Sequence, residues 1–202
     1  YAKFVGEETY DMGNGDLHRG GILIRNSEVG ASRLGIDFFT CRLSCGNDAI
    51  FSGEGISKVH IGRKIDAGLI DYASDTIAVD NEAMMKMIRD IVRTAFDPAG
   101  IQAIYDRVKL SKENVIQETA QVIRQIQQQN KLSDQLTDRL LVSLQGSSQF
   151  DIAQTLTLNA QYITNEDKRI EIEELGGDLL IMPKELFNKT FKADSGVALI
   201  AA

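Results

Sequence analysis

The chain has 202 residues, of which 43% are hydrophobic and 25% are charged, and its formal net charge at pH 7 is −7. This length and composition are typical of one soluble globular domain that buries a core without disulfides or metals. No uninterrupted apolar run approaches the ~18 residues of a transmembrane helix, and the first residues do not form a basic-then-apolar leader. The sequence therefore predicts no membrane partner and a cytoplasmic location.

Alternating apolar residues in the first third of the chain predict short β-strands. The predicted strands cover residues 1–5, 22–25, 32–44, 49–51 and 56–61. Residues 7–21 are predicted to form a loop, because Gly13, Asn14 and Gly15 favour turns and positive φ angles. The alternation changes phase between Phe38 and Phe39, which predicts either a β-bulge or a strand that is buried on both faces.

From residue 65 onward the spacing of apolar residues becomes helical. Residues 65–96 predict one long helix, or two helices that break near Val79 and Asp80. Further helices are predicted over residues 101–108, 112–129, 134–144, 150–162 and 165–175. Their starts are indicated by Asp97-Pro98, Ser111, Ser133 and Thr164, and Gly176-Gly177 is predicted to end the last one.

Because the predicted strands precede the predicted helices along the chain, the sequence favours an α+β fold rather than a βαβ fold. We expect a small antiparallel β-sheet from the N-terminal third, followed by and packed against several α-helices. The chain is predicted to be a single domain over residues 1–202, mainly β over 1–64 and mainly α over 65–182, with a tail over 183–202. The long amphipathic helices also predict a homo-oligomer.

The negative charge lies in the helical part of the chain. Residues 1–64 carry 8 basic and 8 acidic side chains, whereas residues 65–202 carry 14 basic and 21 acidic side chains. Nucleic-acid affinity depends on Lys and Arg that neutralise phosphates, so this acidity counts against a general nucleic-acid binder. A local basic groove on the balanced first part remains compatible with it.

Established catalytic motifs are absent from the sequence. The GNGD turn at residues 13–16 is too short for a phosphate-binding loop, and His18 and His60 have no zinc-finger spacing relative to Cys41 and Cys45. The two cysteines are predicted to be small buried side chains in a reducing compartment. No cofactor and no metal are predicted, and the acidic cluster Glu171, Glu173 and Glu174 is predicted to be a solvated helix face.

A set of polar side chains accompanies the predicted strands. If several of them share one face they form a cationic groove, in which Arg is the side chain best suited to phosphate. The other interpretation is that they are solubilising charges and turn formers. The candidate nucleic-acid-binding residues are Arg25, Asn26, Arg42, Asn47, Lys58, His60 and Arg63.

Three short motifs, NSEVG at 26–30, RLSCGN at 42–47 and VHIGR at 59–63, resemble a family of unknown function encoded by phages and plasmids. The resemblance covers roughly residues 14–175. The chain departs from the commoner pattern in having Gly-Asn-Asp at 46–48 and Ile-Gly after His60. The resemblance implies a non-virion protein that acts in the cytoplasm of a bacterial host, and it implies no particular activity.

A strand hairpin followed by a long helix is also similar to the core of phage single-strand annealing proteins, although no motif matches. Those proteins bind single-stranded DNA in a basic groove and form rings. This likeness favours a phage or mobile-element accessory protein that binds single-stranded nucleic acid in DNA replication or recombination, with stacking on Phe51 or Tyr10.

Two alternatives stay open. The first is a host- or phage-protein interaction factor that modulates a host enzyme or defence system through its acidic helices, without catalysis. The second is an enzyme of unrecognised type that uses the polar set around Asn47 and His60.

Overall fold

The structure is a computed structural model that describes residues 1–25, 35–51 and 73–191. Within these ranges a four-stranded antiparallel sheet is followed by seven helices, which confirms the predicted α+β class. The strands are β1 (Ala2–Asp11), β2 (Leu17–Arg25), β3 (Gly35–Arg42) and β4 (Asp48–Phe51). The helices are α1 (Ser74–Ala95), α2 (Pro98–Glu113), α3 (Thr119–Asn130), α4 (Asp134–Ser143), α5 (Gln149–Ala160), α6 (Glu166–Ile181) and α7 (Lys184–Phe191).

The strands lie in the order of the sequence, and consecutive strands pair antiparallel. The loop predicted over residues 7–21 is wrong, because β1 and β2 extend into it and pair Tyr10 with His18. Only the turn itself follows the prediction, with positive φ angles at Gly13, Asn14 and Gly15. The strand predicted over residues 1–5 is confirmed as the first half of β1. Its second half was missed because this edge strand is largely exposed and carries polar residues.

Strand β3 is buried on both faces. Phe38 and Phe39 are 1% and 0% exposed, and β3 pairs with β2 along its whole length without a bulge. Phe38 stacks on Phe51 of β4, while Phe39 packs with Ile170 of α6 on the opposite face. The phase change in the sequence therefore reflects a strand with two apolar neighbours. The predicted strand over residues 56–61 lies outside the described residues.

Helices cover both faces of this sheet. Phe38 belongs to the main core together with Tyr105 of α2, and Ile22 of β2 packs against Ile91 of α1. We call this face the α2 side of the sheet. The opposite face, with Leu23, Phe39 and Ile50, packs against α6 and is called the α6 side.

Helix α6 runs through the two glycines that were predicted to end it. The prediction fails because the glycines serve close packing rather than a positive φ angle. A Cβ at Gly177 would overlap the carbonyl oxygen of Ile50, and one at Gly176 would overlap the Thr157 side chain. Helix α6 can approach β4 and α5 this closely only because both side chains are absent.

Several helix boundaries follow their sequence signals. Asp97 accepts a hydrogen bond from the Gly100 amide at 3.0 Å, and Ser133 accepts one from Leu136 at 3.3 Å. Helix α1 is continuous through Val79 and Asp80 from its start at Ser74, so the alternative of a break there is wrong. The earlier part of that predicted helix, residues 65–72, falls outside the described ranges.

Other boundaries differ from the prediction. Ser111 is not a cap but lies inside α2, where its hydroxyl donates to the Val108 carbonyl at 2.7 Å. Asn165, rather than Thr164, caps α6. Residues 184–191 form α7 where a tail was predicted, because Phe187 and Phe191 are buried against the core. None of the helices described here is long and apolar enough to cross a membrane.

Candidate functional site

Three of the seven candidate residues, Arg25, Arg42 and Asn47, lie in the described part of the chain. The other four, Asn26, Lys58, His60 and Arg63, fall within residues 26–34 and 52–72, which lie outside it. The predicted groove can therefore be examined only at the two arginines and the asparagine.

The two arginines do not share a face. Arg25 pairs with Gly35 at one end of the sheet, whereas Arg42 pairs with His18 at the other end. Along β3, Arg42 lies seven positions, or roughly 23 Å, from Gly35, the partner of Arg25. Because this offset is odd, the side chains of Arg25 and Arg42 point to opposite faces.

Both arginines form ion pairs with carboxylates. The Arg25 guanidinium pairs with Asp37 and lies 2.7 Å from Glu174 on the α6 side of the sheet. The Arg42 Nε atom lies 2.6 Å from the Asp16 carboxylate on the α2 side. Both guanidiniums are therefore engaged by carboxylates of the same chain, and they lie on opposite faces of the sheet.

Asn47 is a structural residue that is 2% exposed. Its amide nitrogen donates to Gln154 at 2.9 Å and to Thr157, and its oxygen accepts from the Cys45 thiol. These bonds fasten the turn between β3 and β4 to helix α5, so the side chain has no free polar atom to offer a ligand.

The cysteines are free and partly buried. Burial, reinforced by the nearby Asp48 carboxylate, raises the pKa of Cys41 to about 11. Since the thiolate is the nucleophile and the metal ligand, a thiol that stays protonated at pH 7 argues against a reactive role for Cys41. No group of three His, Cys, Asp or Glu side chains is arranged to hold a metal in the described ranges.

The predicted acidic face of α6 is only partly solvated. The Glu171 side chain is 63% exposed, as predicted, whereas that of Glu173 is 4% exposed and lies 2.7 Å from Lys3. Burial raises the pKa of Glu173, and Lys3 acts in the opposite direction. Glu173 and Glu174 therefore join α6 to the sheet through Lys3 and Arg25.

A charged cluster that the sequence analysis missed lies at the turn end of the sheet, and we call it the Asp16 cluster. The Asp16 carboxylate lies 2.6 Å from Arg42, 2.9 Å from Lys112 and 3.3 Å from His18. The last contact is poorly aligned for a hydrogen bond. Only the Asp16-x-His18 spacing signalled part of this cluster, because Lys112 comes from a helix distant in the sequence.

The partners of Asp16 control its ionisation. Burial alone would raise the pKa of Asp16, but hydrogen bonds from Lys112 and Arg42 hold it below its ordinary value.

His18 is fully buried, and its Nδ1 atom lies 3.3 Å from the Thr40 hydroxyl, which lies 3.3 Å from the Tyr105 hydroxyl. Burial raises the pKa of Tyr105 to about 12. The cluster therefore joins β2, β3 and α2 within the core.

His18 should make folding stability depend on pH. Burial lowers the pKa of His18 to about 4 from 6.5, although Asp16 opposes the shift. Between these two values the unfolded chain binds a proton that the folded chain does not, so stability falls as the pH falls through this range. The loss should reach about 3 kcal/mol and be complete below both pKa values.

Urea unfolding from about pH 7.5 down to pH 4.5, compared between the wild type and His18→Gln, measures this loss. We expect the variant to be less pH-dependent than the wild type. If the free energy of unfolding depends on pH to the same extent in both proteins, groups other than His18 cause the pH dependence.

A second feature is a cleft in the helical half, between the α3–α4 turn and the beginning of α6. This helical cleft has a volume of about 620 Å³, and Lys131, Arg139, Tyr162 and Lys168 are among its lining residues. Three of its lining side chains are cationic and one, Glu171, is acidic. The cleft is therefore locally positive on a chain whose net charge is −7.

The cations of the cleft are largely uncommitted. Lys131 ends α3 with a positive φ angle of 52°, and neither it nor Arg139 forms an ion pair with any described residue. Lys168 lies 3.8 Å from Glu171, and both side chains are well exposed, so solvent screens this pair. These cations differ from Arg25 and Arg42, which are bound to carboxylates.

An exposed aromatic ring stands between the helical cleft and a neighbouring groove. Tyr162 is 67% exposed. The groove has a volume of about 630 Å³ and shares Tyr162 and Arg139 with the cleft. An open ring beside free cations is the combination that binds a base and its phosphate. The sequence signal for Tyr162 was weak, because it appeared only as the end of a predicted helix.

The fold and the cleft together define an α+β protein with a cationic depression edged by an aromatic ring in its helical half. The chain matches no protein-family model, no curated protein and no solved structure.

Proposed function

We propose that the protein binds single-stranded nucleic acid, and that the helical cleft supplies part of the binding surface. The observation that supports this proposal is the position of Lys131, Arg139 and Lys168 around the exposed ring of Tyr162. The proposal retains the function expected from the sequence and assigns it to a different surface, since Arg25 and Arg42 are occupied by carboxylates.

The chemistry of the cleft fits a single strand better than a duplex. A base that is free of its partner can stack on an aromatic ring, which contributes about 1–3 kcal/mol per base. The planar guanidinium of Arg139 can hold two phosphate oxygens at once. The neighbouring groove continues the surface past Tyr162, and its charged lining residues are Arg139, which it shares with the cleft, and Asp138.

The protein should bind a ~40-nucleotide single strand more tightly than its duplex, as measured by fluorescence anisotropy. Affinity should fall steeply between about 50 and 200 mM salt, because phosphate neutralisation releases counterions. Tyr162→Ala should weaken binding about tenfold, and Lys131→Ala with Arg139→Ala should also flatten the salt dependence.

The controls separate the cleft from the rest of the surface. Tyr162→Phe keeps the ring and should retain affinity, and Lys109→Ala removes an exposed cation of α2 that lies outside the cleft. Salt-sensitive binding that the cleft variants leave unchanged would place the site elsewhere, and Asn26, Lys58, His60 and Arg63 would be tested next. Absence of binding at the lower salt concentration would refute the proposal and favour the protein-interaction alternative.

A further inference from the structure

A small cavity lies beside β1 on the α2 side of the sheet, and we call it the β1 cavity. It has a volume of about 350 Å³, at the lower end of the range for ligand sites. Tyr10, Phe96 and Ile101 are among its lining residues, together with the glutamates Glu7 and Glu8. Apolar walls with a few polar groups are typical of a binding site.

An irregularity in the pairing of β1 shapes this cavity. The register between β1 and β2 shifts between Val5 and Thr9, so residues 6–8 of β1 lie opposite Gly20 of β2 alone. A bulge of this kind re-aims the side chains of its strand. A Cβ at Gly6 would lie 3.0 Å from the Phe96 ring, so the missing side chain lets this ring approach the strand. The bulge therefore places two glutamates beside an aromatic ring that lies close to the backbone.

The carboxylates of the β1 cavity have no cationic partner among the described residues. Neither Glu7 nor Glu8 forms an ion pair there, and none of the described lining residues is basic. Arg19 of β2 lies on the other face of the sheet, where its Nε atom donates to Thr9 at 3.4 Å. The Tyr10 hydroxyl donates to Glu8 at 2.7 Å, which holds this carboxylate beside the ring.

Two aromatic rings and two carboxylates are the partners that suit a guanidinium group. A guanidinium stacks on an aromatic face, and its planar fork donates to carboxylate oxygens in pairs. An ammonium group has the charge but neither the flat face nor the fork. Tyr10, Phe96, Glu7 and Glu8 offer both kinds of contact in one cavity, so its chemistry favours arginine over lysine.

The surroundings of the cavity fit an arginine that is carried on an extended segment. Strand β1 is an edge strand that pairs only with β2 among the described residues. The backbone groups on its outer side can therefore pair with a further strand. Phe4 lies on the same face of β1 as Gly6 and is 54% exposed, so it offers an apolar contact to a residue near the arginine.

A second copy of this chain is a poor occupant of the site. Besides Lys3, the charged residues of β1 are Glu7, Glu8 and Asp11, which are all acidic. Lys3 already forms ion pairs with two carboxylates of its own chain. Two β1 strands side by side would therefore oppose like charges, whereas a basic segment of another protein would complement them.

We propose that the β1 cavity binds an arginine side chain of a partner protein, presented on an extended segment that lies along the outer edge of β1. The guanidinium stacks on the aromatic wall and pairs with Glu7 and Glu8. Among the described residues the β1 cavity shares no lining residue with the helical cleft, so this site is separate from the one proposed for nucleic acid.

The test measures binding of a short fluorescein-labelled peptide to the full chain by fluorescence anisotropy. The peptide has arginine at its centre and alternating threonine and valine on both sides, since these residues favour an extended chain. Replacing the arginine by citrulline keeps the shape but removes the charge, and it should weaken binding about tenfold. Glu7→Gln with Glu8→Gln should weaken binding of the arginine peptide to a similar extent and leave binding of the citrulline peptide unchanged.

The matched control is Glu113→Gln with Glu118→Gln, which removes two exposed carboxylates that lie outside the cavity. This control should bind the arginine peptide as the wild type does, and circular dichroism checks that both variants remain folded. Equal binding of the two peptides, or an unchanged affinity after Glu7→Gln with Glu8→Gln, would overturn the proposal. Absence of binding at low salt would also overturn it, and would indicate that the charges of β1 only protect the sheet edge from aggregation.

Discussion

Gly177→Ala should destabilise the protein by about 3 kcal/mol or more, although alanine is the better helix former by about 1 kcal/mol. The reason is that a Cβ at this position would overlap the carbonyl oxygen of Ile50 and crowd the backbone beside it. Backbone atoms of a paired strand cannot rotate away as a side chain can. Either α6 must move from β4 or the strand must distort.

Urea unfolding gives the change in free energy, and the slope of the transition checks that the folded state is retained. The matched control is Gly35→Ala in β3, where the nearest atom of the described residues to a new Cβ would be 3.8 Å away on the Arg25 side chain. That substitution should cost less than about 1 kcal/mol. A Gly177→Ala protein as stable as the wild type would show that α6 does not approach β4 as closely as described.

Asp16→Asn should cost about 2–4 kcal/mol at pH 7, because it leaves Arg42 and Lys112 without their carboxylate in a partly buried site. The amide keeps the shape of the side chain, so the loss measures the charge. The expected loss of stability is smaller than for a fully buried ion pair because the Arg42 and Lys112 side chains are each 29% exposed.

The matched control for Asp16→Asn is Glu166→Gln. This substitution removes a carboxylate that lies 3.1 Å from Arg169, but the Glu166 side chain is 55% exposed. It should change stability by less than about 0.5 kcal/mol. Combining Asp16→Asn with Lys112→Met should cost less than the sum of the two separate changes, since the partners act through one contact. Strict additivity would argue against the pairing of Asp16 with Lys112.

The strands and helices were predictable to different degrees for physical reasons. The starts of α2 and α4 are predicted by their cap residues Asp97 and Ser133, because a cap is an interaction between residues close together in the sequence. Only the first half of β1 was predicted, over residues 1–5, since the pairing of its second half with β2 comes from backbone hydrogen bonds that any side chain permits. The end of α6 was placed wrongly at Gly176-Gly177 because the close approach to β4 involves residues far away in the chain.

The contacts of the described candidate residues were less predictable than the fold. The ion pairs of Arg25 with Glu174 and of Arg42 with Asp16 could not be predicted, because no pattern of neighbouring residues indicates which carboxylates will contact an arginine in the fold. Asn47 read as a polar surface residue, yet its partners lie on α5. The cations of the helical cleft, Lys131 and Arg139, lie in an acidic part of the sequence, where the average charge concealed a local positive surface.

The sequence by itself determined the α+β class, the order of strands and helices, and the starts of α2 and α4, and it reduced the phase change in β3 to two alternatives. These properties depend on periodicity and on neighbours a few residues apart. Only the tertiary structure decided which charges form ion pairs and where a cleft opens. Those properties depend on contacts between residues far apart in the chain, and no local pattern records which residues will meet.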